Sequence, residues 1–118
     1  MKTVLIVDDA EFLRVRISKM IAGDGLNVLE AENGARAVDL YKRNHPDVVL
    51  MDITMPEMDG LSALKEIRGF DPKARVIMLT ALGQESVVLE AIKSGARDFI
   101  VKPFERERVM NAIQKLLL

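Results

Sequence analysis

The most constraining feature of this chain is an alternation. Short apolar runs take turns, five times from end to end, with stretches of helical spacing. Lys2–Val7 reads as a strand. Glu11–Ala22 then carries Leu13, Ile17, Met20 and Ile21 on one helical face, and Gly23 and Gly25 end it. Leu26–Ala31 is the second strand. Asn33-Gly34 is a hairpin signal in isolation, but Ala37, Val38 and Tyr41 follow with helical spacing, so it reads as a strand-to-helix loop. Pro46 closes that helix, and Asp47–Met51 is the third strand. Gly60–Gly69 places Leu61, Leu64 and Ile67 on one face, and Asp71-Pro72 marks a turn. Arg75–Leu79 runs to Thr80. Gln84–Ser94 is expected to turn Val88, Ala91 and Ile92 inward, with Gly95 as its cap. Asp98–Val101 leads into Lys102-Pro103, and Glu105–Leu118 is the last helix, with Val109, Ile113, Leu116 and Leu117 on one face.

Strands alternating with helices require right-handed crossovers, hence a parallel sheet covered on both faces. The expectation is one doubly wound α/β domain over residues 1–118, long enough for a single core. No repeat longer than the strand–helix unit is visible, and no attached effector domain is expected.

The polar residues then sort by strand end. Strand one ends in Asp8 and Asp9, strand three in Asp52, strand four in Thr80 and strand five in Lys102. In a parallel sheet these lie along one rim, where open α/β sheets bind ligands. Neighbouring strands lie roughly 4.8 Å apart, so three carboxylates would crowd one crevice. Crowded carboxylates repel and take up protons unless a cation intervenes. An all-oxygen site of this kind suits Mg²⁺, particularly when a phosphate supplies further oxygens. Lys102 adds a compact positive charge and Thr80 a hydroxyl. With Asp52 as an in-line carboxylate nucleophile, these are the parts of a phosphoryl-transfer site.

Each part has an ordinary reading as well. Asp-Asp after a strand is a common turn or cap, Thr80 fits an N-terminal cap, and Lys102 alone is a surface lysine. The joint placement carries the argument. His45, the only histidine, falls in a loop on the opposite rim and reads as solvated. The seven methionines read as flexible core filling. The 17 Lys and Arg against 18 Asp and Glu leave no basic surface for DNA. There is no cysteine for disulfides or thiolate metal sites. No apolar run approaches a membrane span and no secretory signal is visible, so a cytoplasmic protein is expected. A dinucleotide site would need a glycine-rich turn after strand one, where DDAEFLR has none.

Four segments, IVDDAEFLR, MDITMPEMDG, LTALG and GARDFIVKPF, resemble the landmarks of two-component response-regulator receiver domains, in the same order and across the whole chain. The wording of MDITMPEMDG and GQESVVLEAIKSGARDFIVKPF is most similar to single-domain chemotaxis regulators. The resemblance implies a flavodoxin-like three-layer sandwich with strand order 2-1-3-4-5. It implies that Asp52 accepts phosphate from a histidine kinase or phosphotransfer domain. Asp9 would bind Mg²⁺ directly, Asp8 mainly through water, and the Thr54 backbone carbonyl would complete the protein ligands with Asp52. Lys102 would pair with the phosphoryl group, before a cis bond to Pro103. Thr80 would swing toward the phosphate and Phe99 would follow, altering the face of helix four, strand five and helix five that binds an output protein. In chemotaxis that output is the flagellar motor switch. Phe12, Leu13, Arg14 and Arg16 would meet the kinase's phosphohistidine domain. The family is not enzymatic beyond its own phosphoryl transfer and self-dephosphorylation. A monomer is expected, with phosphorylation-dependent dimerisation as the alternative state.

Three departures stand out. Phe99 occupies a position where many chemotaxis regulators have tyrosine, so an ordinary core role competes with a switching one. Thr54 and Leu82 occupy the positions that tune water attack on the phosphate, and Leu82 has no group to orient water, which implies slow self-dephosphorylation. There is no tryptophan to report binding. A phosphorelay intermediate and a receiver of a longer regulator remain alternative outputs. An aspartate-nucleophile phosphatase is disfavoured, because Asp8-Asp9-Ala10 does not fit the D-x-D motif of haloacid dehalogenase-like enzymes and no cap insertion exists.

Overall fold

A computed structural model describes all 118 residues. The strands are β1 (Thr3–Val7), β2 (Asn27–Ala31), β3 (Val48–Asp52), β4 (Val76–Thr80) and β5 (Asp98–Val101). The helices are α1 (Glu11–Ala22), α2 (Gly34–Asn44), α3 (Gly60–Phe70), α4 (Glu85–Lys93) and α5 (Arg106–Leu117). All five strands are parallel, in the order β2-β1-β3-β4-β5. The doubly wound fold and its strand order are therefore as expected. Most boundaries fall within one residue of the sequence reading. The consequential difference is in β3, which starts at Val48 and includes Asp52 instead of ending before it.

Alternation along each strand divides the core into two layers. Leu5, Val7, Val49, Met51, Val76 and Met78 pack with α2, α3 and α4. Val4, Ile6, Val48, Leu50, Ile77, Leu79 and Ile100 pack with α1 and α5 through Ile17, Ile21, Val109 and Ile113. Both faces of the sheet are dry, which is why β1, β3 and β4 are apolar at successive positions instead of alternating.

Local chemistry sets the helix ends. Asn33 caps α2 by accepting from the Arg36 N–H at 2.8 Å, which settles Asn33-Gly34 as a strand-to-helix loop. Asp59 caps α3 through the Ser62 N–H. After α4, Gly95 has φ +108°, and the Gly95 and Ala96 N–H groups donate to the Ile92 and Ala91 carbonyls. That paired pattern closes the helix with a left-handed residue, where glycine costs least.

Ile92 corrects the expected α4 face. It is 42% exposed, while Val88 and Ala91 are buried as expected. A helix over one sheet edge needs only a narrow buried stripe, and Ile92 lies beyond it. On the opposite rim, the His45 and Phe70 rings lie near Tyr41, whose hydroxyl donates to Asp71 at 2.7 Å. No helix is long and apolar enough to cross a membrane.

Candidate functional site

The strand order reverses between β1 and β3: β2 lies on one side of β1 and the rest of the sheet on the other. Ligands in such sheets bind at the carboxyl ends flanking this switch point. Val7 pairs with Met51, so Asp8 and Asp52 come next on adjacent strands. Both continue the side of the sheet facing α1 and α5, by the alternation of Val4, Ile6, Val48 and Leu50. Lys102 shares that side, two residues after Ile100.

The result is a compact cluster. Carboxylate oxygens of Asp8, Asp9 and Asp52 all lie within 4.8 Å of one another. Asp8 and Asp52 are buried, and Asp9 is exposed at the mouth. Lys102 Nζ donates to Asp52 Oδ1 at 3.1 Å and to Asp8 Oδ2 at 3.2 Å. The Lys102-Pro103 bond is cis. Asp8 Oδ1 also accepts from the Ala10 N–H at 2.9 Å, which fixes its carboxylate plane.

Charge in the cluster is unbalanced, with three carboxylates facing one ammonium. Burial raises the Asp52 pKa above the ordinary carboxylate value; Lys102 opposes the rise, while Asp8 and Asp9 reinforce it. Burial alone would lower the Lys102 pKa, yet the Asp52 and Asp8 carboxylates outweigh it and hold the lysine above its usual value. Both partners shift upward: for Asp52, burial together with two like-charged neighbours outweighs Lys102, and for Lys102 the two carboxylates outweigh burial. The three carboxylates fit a hard divalent cation: all donors are oxygen, they converge from two strand ends, and one stands at the open mouth.

Glycines set how tightly the loop after Asp52 closes. A Cβ on Gly60 would lie 2.0 Å from the Asp52 carbonyl oxygen, and one on Gly34 would lie 2.4 Å from that of Met58. The Gly60 N–H donates to the Ile53 carbonyl at 2.8 Å, and the Gly34 N–H to Met58 at 3.0 Å. The N-termini of α2 and α3 therefore press directly on the segment that follows Asp52.

The side chains of the other expected site residues make no bond to the cluster. Thr80 reaches the same rim but lies on the opposite side of the sheet, the side of Val76 and Met78. Its buried hydroxyl faces Gln84 Oε1 at 3.0 Å and the Ala81 carbonyl at 3.1 Å. Thr54 is exposed, and its Oγ1 accepts from Gln84 Nε2 at 3.0 Å. Leu82 is 83% exposed. Phe99 is 39% exposed, which corrects the core reading. It lines an apolar groove of about 320 Å³ between α4 and β5, with Val88, Leu89, Ile92 and Val101, and Thr80 borders the same groove.

Arg14 is engaged within the chain. Its guanidinium donates to the Asp8 carbonyl at 2.7 Å and to Glu30 at 3.1 Å, so it braces the β1–α1 junction. Phe12, 71% exposed, and Arg16 remain open. Gln84 is the contact residue that sequence reasoning missed. Glutamine at a helix start has no distinguishing spacing, and only the folded loop brings it between Thr80 and Thr54.

Fold and site define a flavodoxin-like α/β domain with an acidic, lysine-paired cluster at its switch point. A family profile described as the response regulator receiver domain matches residues 4–114. The chain belongs to the response-regulator receiver family of two-component systems. It is 57% identical over 115 residues to the chemotaxis protein CheY of Bacillus subtilis, covering 97% of this chain and 96% of that one. It is 53% identical over 116 residues to the CheY of Thermotoga maritima, covering 98% and 97%. Among solved structures it is similar to the CheX-CheY-BeF3-Mg complex from Borrelia burgdorferi, with TM-score 0.93, 40% identity, and coverage of 99% of this chain and 90% of that chain. Within the receiver family it is similar to the CheY chemotaxis proteins.

Proposed function

We propose that the chain is a phosphorylation-activated switch in which Asp52 accepts a phosphoryl group from a phosphohistidine donor. The observation that carries this is the convergence of Asp8, Asp9, Asp52 and Lys102 within one cluster at the switch point. An Asp52 carboxylate oxygen attacks phosphorus, the donor's P–N bond breaks, and its electron pair returns to the imidazole nitrogen. Lys102, already against Asp52, follows the charge onto the phosphoryl oxygens. Asp8, Asp9, Asp52 and the Thr54 backbone carbonyl would hold Mg²⁺, which when bound neutralises negative charge in the cluster and on the phosphoryl group. Water attack on the acyl phosphate returns the Asp52 carboxylate and inorganic phosphate. These two transfers are the only chemistry we assign, so the protein is a signalling switch and not an enzyme with a separate substrate.

The signal leaves through the α4–β5–α5 face. Thr80 turns its hydroxyl toward the phosphoryl group, and Phe99 moves from its half-exposed position into the space beside Thr80. High identity over nearly the full length of CheY relatives supports a chemotaxis output, with the flagellar motor switch as target. Exposed Phe12 and Arg16 are assigned to the donor's phosphohistidine domain.

Incubation with a small phosphodonor, with and without Mg²⁺, followed by intact-mass measurement, tests the chemistry. One phosphoryl group added only with Mg²⁺, and none in Asp52→Asn, is the expected result. Metal-independent labelling, or labelling that survives Asp52→Asn, overturns it. Pull-downs of the phosphorylated form with flagellar switch and histidine-phosphotransfer proteins separate the outputs.

A further inference from the structure

Gln84 occupies the N-cap position of α4, yet its side chain makes no capping bond to its own helix. Ser, Thr, Asp or Asn would be the usual residues there. The amide instead turns back across the β4–α4 loop. Its Oε1 accepts from the Ala81 N–H at 2.7 Å and from the Thr80 hydroxyl at 3.0 Å. Its Nε2 donates to Thr54 Oγ1 at 3.0 Å. The amide orientation is determined, because the Ala81 N–H can only donate and must face the oxygen. One side chain thus ties the loop after Asp52 to the end of β4.

Thr80 is buried, so its hydroxyl needs a partner, and its single proton is directed at Gln84 Oε1 or the Ala81 carbonyl. Neither lies in the acidic cluster. A hydroxyl that turns to the phosphoryl group must leave both resting acceptors, Gln84 Oε1 among them. Gln84 also lines both the Phe99 groove and the depression formed by Ile53, Thr54 and Leu61. It therefore stands between the acceptor loop and the output groove.

We propose that Gln84 is a positioning residue of the switch, a latch that holds the Thr80 hydroxyl in the resting orientation and competes with the phosphoryl group on Asp52 for it. The proposal rests on the functional reading above. The latch lowers affinity for a phosphoryl group by the strength of the bond that must be given up. Removing it therefore favours the activated arrangement.

The test is calorimetric titration with beryllofluoride and Mg²⁺, using the parent, Gln84→Met, Thr80→Ala and the double variant, with thermal unfolding of each unbound protein. Gln84→Leu serves as a second removal of the amide. Loss of one neutral hydrogen bond is expected to tighten beryllofluoride binding about 2- to 10-fold in Gln84→Met. Thr80→Ala is expected to bind more weakly than the parent, and adding Gln84→Met to it should give no further gain. A residue that merely stabilises the loop would lower the unfolding temperature without tightening binding. Unchanged or weaker binding in both Gln84 variants overturns the latch while the parent's binding stands. A gain that persists in the Thr80→Ala background also overturns it. A parent that binds no beryllofluoride, or binds it equally after Asp52→Asn, overturns the functional reading and the latch together.

Discussion

Lys102 Nζ lies 3.1 Å from Asp52 Oδ1 and 3.2 Å from Asp8 Oδ2, bridging the ends of two adjacent strands from a third that touches neither. The lysine reaches the cluster because β5 carries it past Thr80, to whose carbonyl its backbone N–H donates at 2.7 Å. Its ammonium is the only positive charge paired with the buried carboxylates. Two properties are thereby linked: the lysine holds an expensive acidic cluster together and stands ready for charge transferred to Asp52.

Lys102→Met is expected to destabilise the protein by about 1–3 kcal/mol at neutral pH, because the buried carboxylates lose their paired charge. The loss should shrink as pH falls and the carboxylates take up protons, or when Mg²⁺ is added. Denaturant unfolding across pH, with chelator and then with Mg²⁺, measures it. A loss that ignores both pH and metal would contradict the electrostatic cause.

Asp52→Asn is expected to raise stability at pH 7 when metal is chelated. The folded-state pKa of Asp52 is above 3.8, so the native protein holds this proton better than the unfolded chain. Stability from that group is present below the unfolded value and is lost as pH rises through the folded one. Asparagine has no such loss. The variant's advantage should vanish near pH 3, and a gain of about 1 kcal/mol would read as a few degrees in unfolding temperature.

Gly60→Ala is expected to damage the site through the backbone. The added Cβ would meet the Asp52 carbonyl oxygen at 2.0 Å, and that atom has no flexible side chain through which to yield. Displacement of α3 or of the loop should cost about 1–3 kcal/mol. Mg²⁺-dependent labelling should fall with it. Gly69→Ala, where nothing lies within 4 Å of the added carbon, is the control expected to unfold like the parent or slightly higher.

Leu82→Asn is expected to shorten the lifetime of the phosphorylated form. Leu82 is 83% exposed, with no group to orient water, so a polar side chain can be placed there without disturbing the core. The decay of the labelled species by mass measurement reads the effect. About 100-fold, the weaker end of what a positioned proton-accepting group contributes, is the ceiling for an amide that can only orient water, and an unchanged lifetime would remove Leu82 as a brake on water attack.

The acidic residues, the lysine and the strand–helix alternation were legible because each is written in local sequence. Asp8, Asp9, Asp52 and Lys102 all follow apolar runs, and a parallel sheet brings the ends of such runs to one rim. Ile92 was misread, and the bracing contacts of Arg14 were not legible, for the opposite reason. Helical spacing marks a face but not how wide a strip the sheet covers, and an arginine near a helix start carries no sign that Glu30 and the Asp8 carbonyl will claim it.

By itself, then, the sequence determined a five-unit α/β sheet and the identity of the charged groups along its carboxyl rim. Continuous apolar runs and helical hydrophobic patterns oblige the chain to bury those faces. Only the tertiary structure decided which rim residues share a side. Asp8, Asp52 and Lys102 face α1 and α5 and close into an ion cluster, while Thr80, one residue out of phase, faces α4 and is held by Gln84. The physical reason is that side chains alternate across a strand, so where each strand ends, by a single residue, selects the face its last polar group meets.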